Sequence, residues 1–401
     1  MSEQSRGGPL AGVRVVELTK VWAGPYVGKL LAFLGAEVIR VESLGSLDVT
    51  RVFGVEDMNK APGFMSVNPQ KLSVQIDMKS KEGIKVLLDL AAKSDILVEN
   101  LRPGAIGRLG LGYDAVKAVT PDIVYVSMGM YGNEGPLAYQ TGYAPLFAAL
   151  GGLSALVGHR GAAPGGMNVR YADSTFGTAA AFAAVSALLH KRRTGEGQFI
   201  DVSAVECMTS MIGDAVAAYG LSGVSPEAAG NRHAEMAPHG VYPCEDQEWI
   251  SIAASDDNAW AALAGAMERP ELASDPKFKT LAARKENEDE LDTMISAWTA
   301  AQNATALTAR LQEAGVAAAK SQSSIDLIAD GDLWARGFYT EVQDADGDGR
   351  SIVGPSWRMS RGAAIERGAP KLGEHNDYIY GDVLGLSPEE RRRLAEAGVM
   401  K

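Results

Sequence analysis

The apolar residues of the chain come in short β-branched runs that alternate with stretches of helical spacing. Residues 13–18 (VRVVEL) predict a buried strand, 25–35 (PYVGKLLAFLG) an amphipathic helix and 36–42 (AEVIRVE) a second strand, which together make a βαβ unit. The rhythm continues with a strand at 72–77 (LSVQID), a helix at 80–93, strands at 95–98 and 123–128 (IVYVSM), and a strand at 198–202 (QFIDV). Strands alternating with helices give a mostly parallel, Rossmann-like sheet, an α/β fold whose ligands sit at the carboxyl ends of the strands. The first turn, TKVWAGPYVG, lacks the GxGxxG of dinucleotide-binding folds, so Glu42 is a poor ribose ligand and a nicotinamide enzyme is disfavoured.

From Met130 to Gly152 the pattern lapses into loop and then a small-residue helix around 144–156, and a further helix is expected over about 203–221. Residues 222–240 (SGVSPEAAGNRHAEMAPHG) have the Gly, Pro and Ala content of a linker or substrate loop. Beyond them, two short strands in YPCEDQEWISIAAS and three helical segments over 257–315 predict a smaller α+β domain. The expected division is a large domain of 1–200 plus 340–401, linkers at 201–227 and 326–339, and a small domain of 228–325. FYTEVQDADGDGRSIVGP reads as a hairpin; its DADGDG resembles the opening of an EF-hand loop, but the twelfth position from Asp344 is Pro355 where a bidentate Glu is required, so calcium is rejected. EERRRLAEAGV, near the end, is a polar surface helix.

The stretch that organises the chain is RYADSTFGTAAAFAAVSALLHKRRTGEG, residues 170–197. Residues 174–189 carry no charge and predict a helix buried on nearly every face, too short and too rich in small polar residues to span a membrane. Its basic end, His190 to Arg193, suits the helix dipole, and Gly195 supplies a left-handed exit. Asp173 falls where an N-cap belongs, and the dipole there would keep it ionised. Taken alone, capping is the commoner use of such an aspartate, and catalysis the other.

Composition narrows the function. A chain of 401 residues with 46% apolar content supports two domains, or one large domain with an insert. Cys207 and Cys244 are spaced for neither a disulfide framework, CxxC redox work nor zinc, and no metal site is predicted. The opening MSEQSRGG lacks a signal-peptide pattern, which favours a cytoplasmic protein. A net charge of −12 argues against nucleic acid or an anionic membrane as partner, so a polyanionic small ligand needs a local basic patch.

Several segments then act together: LAGVRVVELTKVWAGPYVGKLLAFLGAEVIRVE, NPQKLSVQIDMKSKEG, ILVENLRPGAIGRLGLGYD, the Asp173 helix ending RRTGEGQFIDVS, and LGEH at 372–375. In this order and spacing the chain resembles the class III coenzyme A transferases over nearly its whole length. The resemblance puts Asp173 at the family's catalytic aspartate, which attacks an acyl-CoA to form a mixed anhydride and then an aspartyl-CoA thioester. It implies transfer of CoA from a donor such as succinyl-CoA to a free acid, a dicarboxylate or an aryl acid such as a benzylsuccinate, with the CoA thioester as substrate and no permanent cofactor.

By the same resemblance, Asp77, Met78, Lys79, Asn100 and Arg108 hold the nucleotide and pantetheine, with Lys20, Arg40, Arg51 and Lys71 as further cations, or as solvated surface residues. Trp22, beside Ala23 at the active-site turn, reshapes the acyl pocket against formate or oxalate, or else is a core aromatic. Racemases of the family carry a histidine at the position of Tyr143, and a tyrosine is a poor base at pH 7, which disfavours α-carbon racemisation. His233 and His239 belong to the linker, in the acyl pocket or on the surface, while His159 and His190 read as structural. No glycine run occurs between Ser222 and Gly240 to serve as an oxyanion loop. An interlocked, ring-like homodimer is implied, or a heteromer with a paralogous subunit; the alternatives are a racemase-type isomerase and a non-catalytic CoA-binding subunit.

Overall fold

The computed structural model describes residues 6–159, 161–166, 169–344 and 346–401. The chain forms two compact units, one of Met1–Ser154, Met167–Val224 and Asp332–Lys401, the other of Ala155–Gly166 and Ser225–Gly331. The second unit thus takes in a segment, 155–166, that lies far from it in sequence.

The first unit is built on six parallel strands: β1 (Arg14–Leu18), β2 (Glu37–Glu42), β3 (Leu72–Gln75), β4 (Ile96–Glu99), β5 (Val124–Gly129) and β6 (Gln198–Ser203). They lie in the order β3-β2-β1-β4-β5-β6. Strand order reverses between β1 and β4, and connections leave in opposite directions there, opening a crevice at the carboxyl ends. Period-two alternation sorts the strand residues. Val15, Val38, Ile96 and Val126 pack against Val27 and Leu31 of the helix Ala23–Phe33 and against Ala180, Ala184 and Leu188 of the long helix Val169–Thr194. Val16, Ile39, Leu97 and Tyr125 face the other way, onto Leu87, Leu90, Ile379, Tyr380 and Leu394. A sheet buried on both faces has near-continuous apolar strands, as VRVVEL is.

Five expectations about the helices need correcting. The long helix begins at Val169, so Asp173 lies in its second turn and is not an N-cap. At 26 residues it is also long and apolar enough to cross a membrane by length and composition, although 44% of its most apolar window is buried inside the unit. Nor is it buried all round, since Phe182 is 75% exposed. The helix expected over 144–156 stops at Leu150, where Gly151 and Gly152 follow and Gly152 takes φ +84°. That expected over 203–221 is broken into Ala204–Ser210 and Gly213–Ser222.

LGEH closes the sheet. The Gly373 N–H donates to Ser73 Oγ (3.0 Å), the His375 N–H to the Ser73 carbonyl (2.9 Å), and the Ser73 and Gln75 N–H groups to His375 Nδ1 (3.2 Å) and Asn376 Oδ1 (2.8 Å). Side chains and backbone of this segment thereby satisfy the open edge of β3. Gly373 itself has φ +70°, and a Cβ there would lie 2.2 Å from Gln75 Oε1.

The second unit holds an antiparallel sheet, β7 (His239–Pro243), β8 (Trp249–Ala253) and β9 (Ala317–Lys320), in the order β7-β8-β9. Its helices Asp257–Ala266, Leu281–Glu286, Glu288–Thr299 and Ala304–Glu313, one more than expected, close over Trp260, Phe278, Leu291, Ile295 and Leu311. The hairpin β10 (Tyr339–Gln343) and β11 (Gly349–Val353) belongs to the first unit, and its turn carboxylates are spent on protein cations: Asp344 on Arg350, Asp346 on Lys371 and Asp348 on Lys60.

Gly373→Ala combines a left-handed backbone with a close contact and is expected to cost about 1–2 kcal/mol. Urea unfolding checks the size of the loss. Hydrogen exchange checks its place: amides of Ser73 and Gln75 should exchange faster while those of β1 and β4 keep their protection.

Candidate active site

The crevice between β1 and β4 is a cleft of about 570 Å³, walled by the loops that leave the strand ends and by the start of the long helix. Ala23, Asp77, Met78, Lys79, Asn100, Tyr143 and Asp173 all line it. Residues spread over 150 positions of sequence are thus gathered by one topological feature.

Asp173 is half-buried and shares the lining of the cleft with Met128, Met130, Phe147 and Phe176. Its carboxylate has no hydrogen-bond partner among the described residues. Desolvation by these apolar neighbours pushes its pKa up to about 6. The helix dipole is therefore not what sets its acidity, because dipole effects fade beyond the first turn and Asp173 is the fifth residue of the helix. The group is still about nine-tenths ionised at pH 7. What brings it to the cleft is a close crossing of helices. A Cβ on Gly177, one turn further on, would meet the Ala23 carbonyl at 2.6 Å and Tyr26 Cβ at 3.0 Å, so only glycine lets the two helices approach this far.

The turn after β1 is held from below. Val21 has φ +70°, a region that costs a β-branched residue energy, and its N–H donates to both oxygens of Asp48 at 3.2 and 3.0 Å. Asn100 grips the preceding peptide, accepting from the Lys20 N–H (2.7 Å) and donating to the Lys20 carbonyl (2.9 Å). Asp48 is in turn paired with Arg40, which also meets Glu17 at 2.7 Å; Lys71 meets Glu17 at 2.7 Å, and Arg51 meets Glu42 at 2.6 Å. All six side chains are almost fully buried. Burial brings the Lys71 ammonium down to about 8 against the pull of Glu17.

This corrects the reading of the four additional cations. Arg40, Arg51 and Lys71 are neither solvated nor available to a ligand, being committed to internal carboxylates. Lys20 alone of the four lines the cleft, with Nζ donating to the Ser46 carbonyl (2.8 Å) and Oγ (2.6 Å), and burial lowers its pKa.

Two further residues stand apart from the expected cleft. Arg108 is exposed on the short helix Ala105–Arg108 and is absent from the lining, whereas Arg102, six residues earlier and nearer the end of β4, is part of it. Proximity to a strand end was the signal that would have chosen between them. Trp22 is half-buried and flanks the cleft: its Nε1 donates to Ser174 Oγ (3.2 Å), and the Arg170 guanidinium lies 5.0 Å from its ring. Ser43, Ser46 and Met128 also line the site and were not anticipated. His233 and His239 belong to the second unit, stacked with ring centroids 5.4 Å apart, and His239 Nδ1 lies 2.6 Å from the Asn231 carbonyl oxygen. His159 and His190, expected to be structural, are both exposed.

Residues 10–376 match the family described as CoA-transferase family III. The chain is 34% identical to succinyl-CoA–D-citramalate CoA-transferase of Chloroflexus aurantiacus, over 98% of each chain. It is 30% identical to succinyl-CoA:glutarate CoA-transferase of Mus musculus, over 98% of this chain and 90% of that one. The crystal structure of a CAIB/BAIF family protein from Brucella suis superposes with a TM-score of 0.88 at 33% identity, covering 94% of this chain and all of the other.

An Asp whose native pKa lies above its unfolded value destabilises the fold once it ionises: the penalty is absent below about pH 4, grows as pH rises to about 6 and is complete above that. Asp173→Asn is therefore expected to stabilise the protein by about 1–2 kcal/mol at pH 7.5, allowing for partial solvent screening, with the gain vanishing by pH 4. Denaturant unfolding of both proteins across this range is the check.

Proposed function

The chain belongs to CoA-transferase family III and is an acyl-CoA:carboxylate CoA-transferase, and on that premise we propose that Asp173 carries the CoA between succinyl-CoA and a dicarboxylic acid acceptor. The observation that carries this reading is an unpartnered carboxylate, raised in pKa by desolvation, in the apolar wall of the cleft. A carboxylate stripped of water and of hydrogen bonds is a better nucleophile than a solvated one, and it remains a good leaving group.

The chemistry runs in two symmetrical halves. An Asp173 oxygen attacks the thioester carbon of succinyl-CoA, the C–S bond breaks, and CoA leaves as thiolate from a mixed anhydride. The thiolate attacks the Asp173 acyl carbon and expels succinate, leaving an aspartyl-CoA thioester. The acceptor carboxylate then attacks that thioester, giving a second anhydride and thiolate. Attack of the thiolate on the acceptor carbonyl yields the new thioester and regenerates Asp173. No proton or electron is consumed. Each anhydride is open to hydrolysis, so Met128, Met130, Phe147 and Phe176 protect the reaction as well as tune the carboxylate.

CoA is assigned to the strand-end loops, with Met78 beside the adenine and Lys20, Lys79 and Arg102 as cations for its phosphates. Asn100 acts through Lys20, whose backbone it holds. Citramalate and glutarate in the relatives' names are both dicarboxylates, and the apolar wall also suits an aryl-substituted acid such as a benzylsuccinate. We assign the working form to an interlocked homodimer, or a heteromer in which this chain supplies the aspartate. Exposed Phe53 (83%), Phe182 (75%) and Leu221 (91%) support burial against another subunit.

Incubation with succinyl-CoA followed by hydroxylamine or borohydride is expected to modify the peptide containing Asp173 and no other, as read by mass spectrometry. Asp173→Ala should lose both the label and turnover, by about 10³-fold or more, while remaining folded. Because the attacking form is ionised, kcat/KM should fall tenfold per pH unit below about 6 and level off above it. A label elsewhere sinks the assignment.

Gly177→Ala pushes the two helices apart without touching the chemistry. A displacement of about 1 Å at the nucleophile is expected to lower kcat by roughly 10²-fold while the KM for the CoA thioester changes little. Circular dichroism and thermal unfolding of the variant separate this from general unfolding, which would lower the folded fraction in proportion to kcat.

A further inference from the structure

We infer that Glu99, which does not itself line the cleft, is a positioning residue that sets two of its walls at once: one carboxylate oxygen closes the turn that carries Arg102, and the other, through Ser127, holds the strand end that carries Met128 and Met130. The inference rests on the reading of Asp173 as nucleophile and of Arg102 as a cation for CoA.

The strands dictate the arrangement. In the register of β4, β5 and β6, Glu99 stands opposite Ser127 and Ser127 opposite Asp201, so the three side chains share one face of the sheet. It is the face of Leu97 and Tyr125, turned away from the long helix, and Glu99 therefore acts only through its neighbours. The Leu101 N–H donates to Glu99 Oε2 at 2.9 Å, and the Ser127 hydroxyl donates to Oε1. Asn133 completes the row. Its Nδ2 donates to Ser127 Oγ at 3.0 Å and to Asp201 Oδ1 at 2.8 Å, and its backbone N–H donates to both Asp201 oxygens at 3.0 and 2.8 Å. The chain folds back onto Ser127 by a tight turn, in which Gly132 has φ +78° and a Cβ on Gly129 would lie 2.9 Å from the Gly132 carbonyl oxygen. Because Ser127 accepts from Asn133, its single proton is left for Glu99, which gives the row one direction.

Each partner of Glu99 adjoins the cleft. Leu101 lines it together with Arg102, and Met128, Gly129 and Met130, which follow Ser127, line it too. Met128 and Met130 belong to one apolar cluster with Ala172 and Phe176, which precede and follow Asp173 on the long helix. A buried acid is costly where no cation offsets it. Glu99 is 3% exposed, burial pushes its pKa up, and the groups acting on it are Ser127, Leu101 and the like charge of Asp201. An apolar residue here would avoid that cost and would hold neither loop.

The test compares wild type, Glu99→Ala, Ser127→Ala and Glu99→Gln by kcat and KM for succinyl-CoA over a range of about pH 4.5 to 8.5, with glutarate as acceptor and circular dichroism as the check on folding. Glu99→Ala frees both loops: KM is expected to rise about 10-fold and kcat to fall about 10²-fold. The inflection in kcat/KM should move down from about 6 toward the ordinary range of a carboxylate, as water reaches Asp173. Ser127→Ala releases the apolar wall alone, so the inflection moves while KM stays within about twofold. Glu99→Gln keeps an oxygen for Leu101 and an amide for Ser127, and both readouts should stay within about threefold of wild type. Ionisations of the substrate are common to all four proteins and partial misfolding lowers kcat alone, so neither shifts KM or the inflection between variants. An unmoved KM and inflection in Glu99→Ala overturn the assignment; if that variant does not fold, an unmoved inflection in Ser127→Ala does so. A wild type without an inflection near pH 6 overturns the reading of Asp173, and this assignment with it.

Discussion

Glu17, Glu42 and Asp48 face Arg40, Arg51 and Lys71 in and around the first three strands, three negative charges against three positive, with almost no access to water. Burying charges is costly, and such pairs add little net stability over a well-packed apolar cluster. Their value lies in what breaks when one is removed: an unpaired buried charge costs about 3–5 kcal/mol. The network therefore acts as a lock with few alternative settings. It ties β1 to β2 and β3, and through Arg51 it reaches the Pro370 carbonyl in the segment leading to LGEH. Through Asp48 it holds Val21 in a backbone conformation that a valine would not choose. The floor of the cleft is the visible end of this lock.

The opposite wall obeys another constraint. The long helix carries a carboxylate that would be more stable in water, and it keeps that carboxylate in place by packing. Ala180 and Ala184 are fully buried on the sheet, and Gly177 admits the Ala23 carbonyl. Small residues give the helix a close seat and few ways to shift. A strained turn on one side and a desolvated acid on the other are both local departures from lowest energy, and both border the same space.

Much of this was legible in the chain, and the gaps have physical causes. Strands β1 to β6 could be read to within a residue or two because each inner strand is apolar on both faces and bounded by turn residues. The start of the long helix could not, since Asp173 is a residue type favoured at N-caps and Arg170 to Ala172 give no helix signal of their own. The upward shift of its pKa was missed for the same reason, for a cap and a second-turn residue feel different fields, although the charge expected at neutral pH is retained. The cations were harder. Composition does not separate a buried Arg from a surface one, yet Arg40 sits between Ile39 and Val41 in an inner strand, and there a charge must be buried and hence paired. Glu17, between Val16 and Leu18, was the matching signal. Arg102 and Arg108 share one motif, and only the strand end separates the one that lines the cleft from the one that does not.

These two kinds of cation bear on how an acidic protein accepts an acidic ligand. The net charge is −12, and the buried network contributes nothing to that balance because its charges cancel. The attraction for phosphates and carboxylates thus depends on cations outside the network: Lys20, Lys79 and Arg102 on the strand-end loops that line the cleft. Exposed cations in a field of the opposite sign attract anions over a short range and release them readily, since screening is strong beyond about 10 Å. A transferase must let go of one acid before it takes the next, and weak, local attraction around an apolar wall that bears a single carboxylate suits that alternation better than a cleft lined with buried cations would.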